Sequence, residues 1–205
     1  MDSNRLTTRR LEMSNVDTEK VQELLEAMGR ANPEMKIIGR DEEGWHKKSL
    51  SLWFIWVGMA ILDVIMPAFA KRWRERYTVV TPNHMAFPRM PQDLTVYSTY
   101  SVLRHEYVHM RDRLAHPIWF PVSYALFFPA IWTMRAHWEM RGYTANMIVA
   151  FEESGQITDA TVDWIVKQFT TSRYFWMWPF ESRVRARVEE LRAKVLAGEL
   201  SGLYF

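Results

Sequence analysis

The 205-residue chain has no cysteine. That absence excludes disulfides, thiolate-ligated zinc, iron-sulfur clusters and thiol nucleophiles, so a bound metal has to be held by His, Asp or Glu. Net charge is also nearly absent: 26 basic residues are scattered among 24 acidic ones, for a formal charge of +2. With no basic stripe, nucleic acid is not an expected partner. Residues 1 to 15, MDSNRLTTRRLEMSN, lack the apolar core of a signal peptide, and a cytoplasmic location is expected. Internal repeats and low-complexity tracts are missing too. What the chain has in quantity is apolar residues, 48% of the total, enough for the core of one domain.

The pattern along the chain predicts a mostly helical α+β protein. After the polar start, Asp17 can cap a helix in which Val21, Leu24, Leu25 and Met28 share a face and Gly29 supplies the stop. Residues 29 to 49 are rich in Gly, Pro and charge and read as a linker. The expected division is therefore an N-terminal arm with one helix over 1–45 and a main domain over 46–205. Residues 50 to 70, LSLWFIWVGMAILDVIMPAFA, carry one charge, Asp63, and are long enough to span a bilayer. Asp63, Pro67 and basic residues at both ends favour a buried core helix instead, with membrane association as the alternative.

In YTVVTPNHMAFP, residues 77 to 88, β-branched and aromatic residues flank a Thr81-Pro82-Asn83 turn, which predicts two short strands. From Val96 the sequence turns helical and runs past Asp112 until Pro117, because the residue before proline avoids the α region. Residues 117 to 134 hold no charge and three prolines, which reads as an aromatic loop followed by a helix from near Pro129 to about Glu153, with Gly155 beyond it. Further helices are expected over 159–169 and 182–196.

The chemistry concentrates in HEYVH, residues 105 to 109. In a helix, His105 and His109 lie about 40° apart on one face, one turn apart, where two imidazoles can hold one zinc ion. Glu106 then stands beside the metal rather than on it, positioned as general base for water attacking a carbonyl. By composition, only about 0.01 such matches are expected by chance in this chain. The alternative is a helix carrying two ordinary histidines.

A catalytic zinc usually has three protein ligands and one open position. Glu139 is the favoured third ligand, since a separate helix can bring it to the pair; His116 and His137 are the alternatives. His116 lies about 10 Å along the helix axis from His109. Around their own helix Trp132, Arg135, Glu139, Tyr143 and Asn146 share one face. Tyr143 can support Glu139, donate to an oxyanion or simply pack. Asp112 is either a carboxylate orienting an imidazole or an ordinary helix-end charge. A strand edge among residues 77–81 or 85–87 can hold a peptide extended, or serve only as sheet.

His105-Glu106-Tyr107-Val108-His109 followed by a downstream glutamate resembles the zincin metallopeptidases of the gluzincin type. The resemblance implies zinc ligands at His105, His109 and Glu139, Glu106 as base, and zincin-like helices carrying the site beside a small sheet or hairpin. The metzincin pattern, with a third histidine close after the motif, is not present, and the N-E-x-x-S-D signature of thermolysin-like enzymes is missing. More loosely, YTVV…FP, LRHEYVHMRD and RAHWEMRGY in succession look like uncharacterised metallopeptidases of bacteria and their phages. The expected activity is zinc-dependent hydrolysis of a peptide or protein substrate. The competing reading is a structural or interaction protein, a virion component or membrane-associated factor, with a vestigial site. YFWMWPF, residues 174 to 180, is its docking patch, or else an aromatic core cluster.

Overall fold

The computed structural model describes residues 15–65, 67–125, 134–171 and 177–202. Among them the protein is mostly helical with one three-stranded sheet. The order is α1 (Thr18–Ala31), β1 (Lys36–Gly39), a 3-10 turn (Trp45–Lys48), α2 (Leu50–Ile65), α3 (Pro67–Arg76), β2 (Val79–Val80), β3 (His84–Phe87), α4 (Tyr97–Ala115), α5 (Trp119–Ala125), α6 (Arg135–Ser154), α7 (Asp159–Thr170) and α8 (Glu181–Leu196). Contacts divide the chain into two units: one formed by the chain through Leu24 together with everything from Leu94, the other Leu25–Asp93. Neither break coincides with the 45/46 boundary drawn from composition. Residues 1–14 of the expected N-terminal arm lie outside the described residues.

The Leu25–Asp93 unit holds the sheet, in the order β1-β3-β2. β1 runs parallel to β3, pairing Ile37 with Met85, and β2 runs antiparallel, pairing Val80 with Met85. Both strands expected around Thr81-Pro82-Asn83 are present, and Thr81 closes the turn by receiving the His84 backbone N–H on its hydroxyl at 3.1 Å. β1 falls inside the segment read as linker: Ile37 and Ile38 are its only large apolar residues, too few to stand out among flanking charges. Ile38, Leu52 of α2 and Ala86 make a small core with Trp45 against it.

α1 begins as expected, with the Asp17 carboxylate accepting from the Glu19 N–H at 2.9 Å. It does not stop at Gly29 but continues to Ala31, since an isolated glycine weakens a helix without ending it. Residues 50–70 also differ from expectation. The apolar run breaks, with Pro67 opening α3 at the first helical position, where its missing N–H costs nothing. α2 is not a buried core helix: Leu52 and Met59 are buried, but most of its large apolar residues are exposed. No helix among the described residues is long and apolar enough to cross a membrane.

In the other unit, α4 and α6 pack along their lengths, and α7 and α8 cover the far side of α6. That far side is the main apolar core, in which Met140, Met147 and Ile148 meet Val162, Ile165 and Phe169 of α7 and Val184 and Val188 of α8. α4 ends at Ala115, just before Pro117, as expected. α6 ends at Gly155, whose φ of 70° supplies the left-handed cap. Pro129, the expected start, lies outside the described residues, and α6 begins at Arg135 with Met134 as its N-cap. Part of the segment read as an aromatic loop is helical, as α5, seven residues too short for periodicity to reveal. Of YFWMWPF, residues 174 to 176 lie outside the described set; Met177 is core, Trp178 packs against it, and Phe180 is exposed.

Candidate metal centre

α4 carries HEYVH in regular helix, so His105 and His109 stack one turn apart on the side facing α6. Glu139 enters from the first turns of α6 and is 2% exposed. The three side chains converge: His105 Nε2 lies 3.0 Å from His109 Nε2, and Glu139 Oε2 lies 3.4 Å from the first and 3.9 Å from the second. This is the group of His, Asp and Glu among the described residues whose ligand atoms gather within 4.8 Å of one another. The two sequence alternatives stay outside it: His116 is exposed at the end of α4 with its ring 5.7 Å from Trp138, and His137 is exposed with its ring 5.1 Å from Trp138.

The donor set fits a zinc ion. Bonds of about 2.0–2.1 Å in a tetrahedral site put ligand atoms about 3.3 Å apart, the middle of the spacing seen here. Two neutral imidazoles cannot both point Nε2 lone pairs at one another from 3.0 Å without a cation between them or a proton on one. A carboxylate joining two imidazoles supplies the charge that a divalent ion needs.

The surroundings fix which nitrogen of His105 faces that point. Asn146, two turns after Glu139 on α6, donates its amide N–H groups to Ser101 O at 2.9 Å and Ser101 Oγ at 2.7 Å. Its Oδ1 is thereby turned to His105 Nδ1, 2.8 Å away. An oxygen there requires a proton on Nδ1, which leaves the Nε2 lone pair for the metal. Gly142 lies between them on α6, and a Cβ on it would come within 3.0 Å of Nε2, Cε1 and Cδ2 of His105. The imidazole is laid directly on the α6 backbone, and only glycine permits that approach.

Tyr143 sits beside it, with its ring edge-on to His105 at 4.9 Å and wedged between Trp164 and Phe169 at 5.5 Å each. On the other side Phe120 of α5 faces His109 at 6.0 Å and Trp138 at 5.2 Å, and Trp138 is fixed by donating to Ser123 Oγ at 3.0 Å. Asp112, considered as a partner for an imidazole, accepts from Arg141 Nε with both oxygens at 3.0 Å and so ties α4 to α6. On the expected polar face of α6, Trp132 lies outside the described residues and Arg135 is half-buried. The strands expected to lie beside the site belong to the Leu25–Asp93 unit.

Electrostatics follow the geometry. Burial opposes a charge on His105, yet the hydrogen bond to Glu139 and the charges of Glu106 and Glu139 outweigh it and raise the imidazole pKa. Burial likewise opposes ionisation of Glu139, but the two imidazoles beside it, 3.4 and 3.9 Å away, hold its carboxyl well below the usual range. Glu106 is half-buried, and desolvation raises its pKa, against the lowering influence of the two histidines. Asn146 was visible from sequence only as a member of a helical face; Ser101 and Gly142 carried no sequence signal, because their roles depend on which helix lies opposite. Comparison of the chain with protein-family models, with curated proteins and with solved structures finds no match in any of the three.

Proposed function

We propose that the chain is a zinc-dependent metallopeptidase of zincin-like design that hydrolyses peptide bonds in a peptide or protein substrate. The observation that carries this reading is the convergence of His105 Nε2, His109 Nε2 and Glu139 Oε2 within 4.8 Å, from two helices. When bound, zinc supplies Lewis acidity that makes water a stronger acid and polarises a carbonyl. His105, His109 and Glu139 hold it. Glu106, its pKa raised by burial, takes a proton from water as the water oxygen bonds to the scissile carbonyl carbon, and passes that proton to the leaving amine as the C–N bond breaks. Asn146 keeps His105 in the ligating tautomer, and Phe120 with Trp138 walls the His109 side with apolar surface. Tyr143 braces the His105 ring; its wedged position favours this over donation to an oxyanion.

The test is metal content and turnover of an unfolded protein substrate. The wild type is expected to purify with close to one zinc per chain and to cleave. His105→Ala loses the metal, and Glu106→Gln keeps it while losing about 10²–10⁴ in rate. A wild type purified without chelator that is metal-free at neutral pH overturns the reading. Retained zinc with no hydrolysis by the wild type favours the non-catalytic alternative.

A further inference from the structure

The exposed side of α2 is the largest feature of the protein that the metal centre leaves unexplained. At 100° per residue, Leu50, Trp53, Phe54, Ile61, Val64 and Ile65 fall within an arc of about 120°. All six are exposed, Val64 by 85%, Leu50 by 71% and Ile65 by 67%. The opposite side is anchored to its own unit by Leu52, which packs with Ile38 and Ala86. Asp63, the single charge on α2, is off the stripe and ion-paired with Arg74. A contiguous apolar face of this kind on a folded protein marks a partner.

We propose that this stripe lies in the plane of an anionic bilayer surface, with its apolar side in the acyl boundary. Three observations select lipid over protein. The arc carries no polar side chain, whereas protein interfaces need about one hydrogen bond per 100–200 Å². Charge is complementary: the sequence from Lys47 to Arg76 holds Lys47, Lys48, Lys71, Arg72, Arg74 and Arg76 against Asp63 and Glu75, six minus two, a net +4, with Lys48 paired to Glu42 just upstream and Arg74 to Asp63. Basic residues thus flank α2 on both sides in sequence, and Trp53 and Trp56 supply rings suited to the headgroup level. Length sets the orientation, since 16 residues rise about 24 Å, short of the roughly 30 Å hydrocarbon core, so the helix lies along the surface.

The experiment uses the full chain and vesicles of phosphatidylcholine with and without about 30% phosphatidylglycerol. Co-sedimentation with the anionic vesicles is expected, weaker with the neutral ones and weaker as salt rises. Phe54→Glu with Ile61→Glu is expected to lower partitioning by about tenfold or more, with circular dichroism and metal content unchanged. Because the chain has no other thiol, Val64→Cys takes a single environment-sensitive dye, whose emission is expected to shift to the blue only on adding anionic vesicles. No vesicle binding by folded protein overturns the proposal, as does binding that ignores the paired substitution. So does a dye already shifted at dilution, which means that the chain itself covers the stripe, or one shifting with protein concentration alone, which means that a second copy does.

Discussion

The His105 ring occupies the space that a side chain on Gly142 would need: a Cβ at 142 would overlap the imidazole at three ring atoms. Gly142→Ala is therefore expected to push the ring off its position while the helix, which prefers alanine, remains. Overpacking of this kind costs about 1–3 kcal/mol. If the cost falls on the ligand geometry, zinc affinity drops by about tenfold or more. Competition with a chromophoric chelator measures it; unchanged affinity would show that the imidazole has room elsewhere.

Asn146 sets the His105 tautomer through Oδ1, and Ser101 sets Asn146. Asn146→Ala is expected to weaken zinc binding by about 10–100-fold, as loss of an orienting partner does. Asn146→Asp, which keeps an oxygen on Nδ1, restores most of it. If Asp binds as poorly as Ala, the amide acts through packing instead.

Glu139 and His105 give a pH dependence with a defined sign. In the metal-free protein the raised His105 pKa contributes stability that is present below its ordinary 6.5 and lost as pH rises through the raised value. The depressed Glu139 pKa contributes stability present above 4.5 and lost as pH falls through the lowered value. The pair stabilises the metal-free fold most between 4.5 and 6.5, a window that urea titrations at several pH values can locate. Zinc displaces the His105 proton, so its affinity is expected to fall on acidification below the raised pKa, by up to tenfold per pH unit per proton.

Arg104, beside the first ligand, is 1% exposed. It donates to Tyr100 Oη at 3.2 Å, to Glu152 at 3.1 Å and to the Gly202 carbonyl at 2.6 Å, joining α4, α6 and the C-terminal segment. Arg104→Ala is expected to cost about 1–3 kcal/mol by breaking an ion pair whose Glu152 end reaches solvent and leaving the Tyr100 and Gly202 acceptors unfilled. Chemical denaturation reads this; a cost below about 1 kcal/mol means that water replaces the guanidinium.

Much of this protein was legible in one dimension. The HEYVH helix, its end before Pro117, the Gly155 cap and the strands around Thr81-Pro82-Asn83 follow from periodicity and from backbone rules that act over a few residues. Glu139 is expected near the histidines because a separate helix can approach theirs, and its carboxylate lies 3.4 and 3.9 Å from the two imidazoles. β1 and α5 escaped because segments of four and seven residues hold too little pattern to separate from their neighbours.

By itself the sequence determined the chemistry available, because a chain without cysteine and with two histidines one helical turn apart has few other ways to hold a metal. Tertiary structure alone decided that His105 is pressed on Gly142 and oriented by Asn146, since both contacts depend on how α4 and α6 cross. It also decided that the most apolar helix is only partly buried. Hydrophobicity states that a surface must leave water, and only packing determines whether protein takes its place.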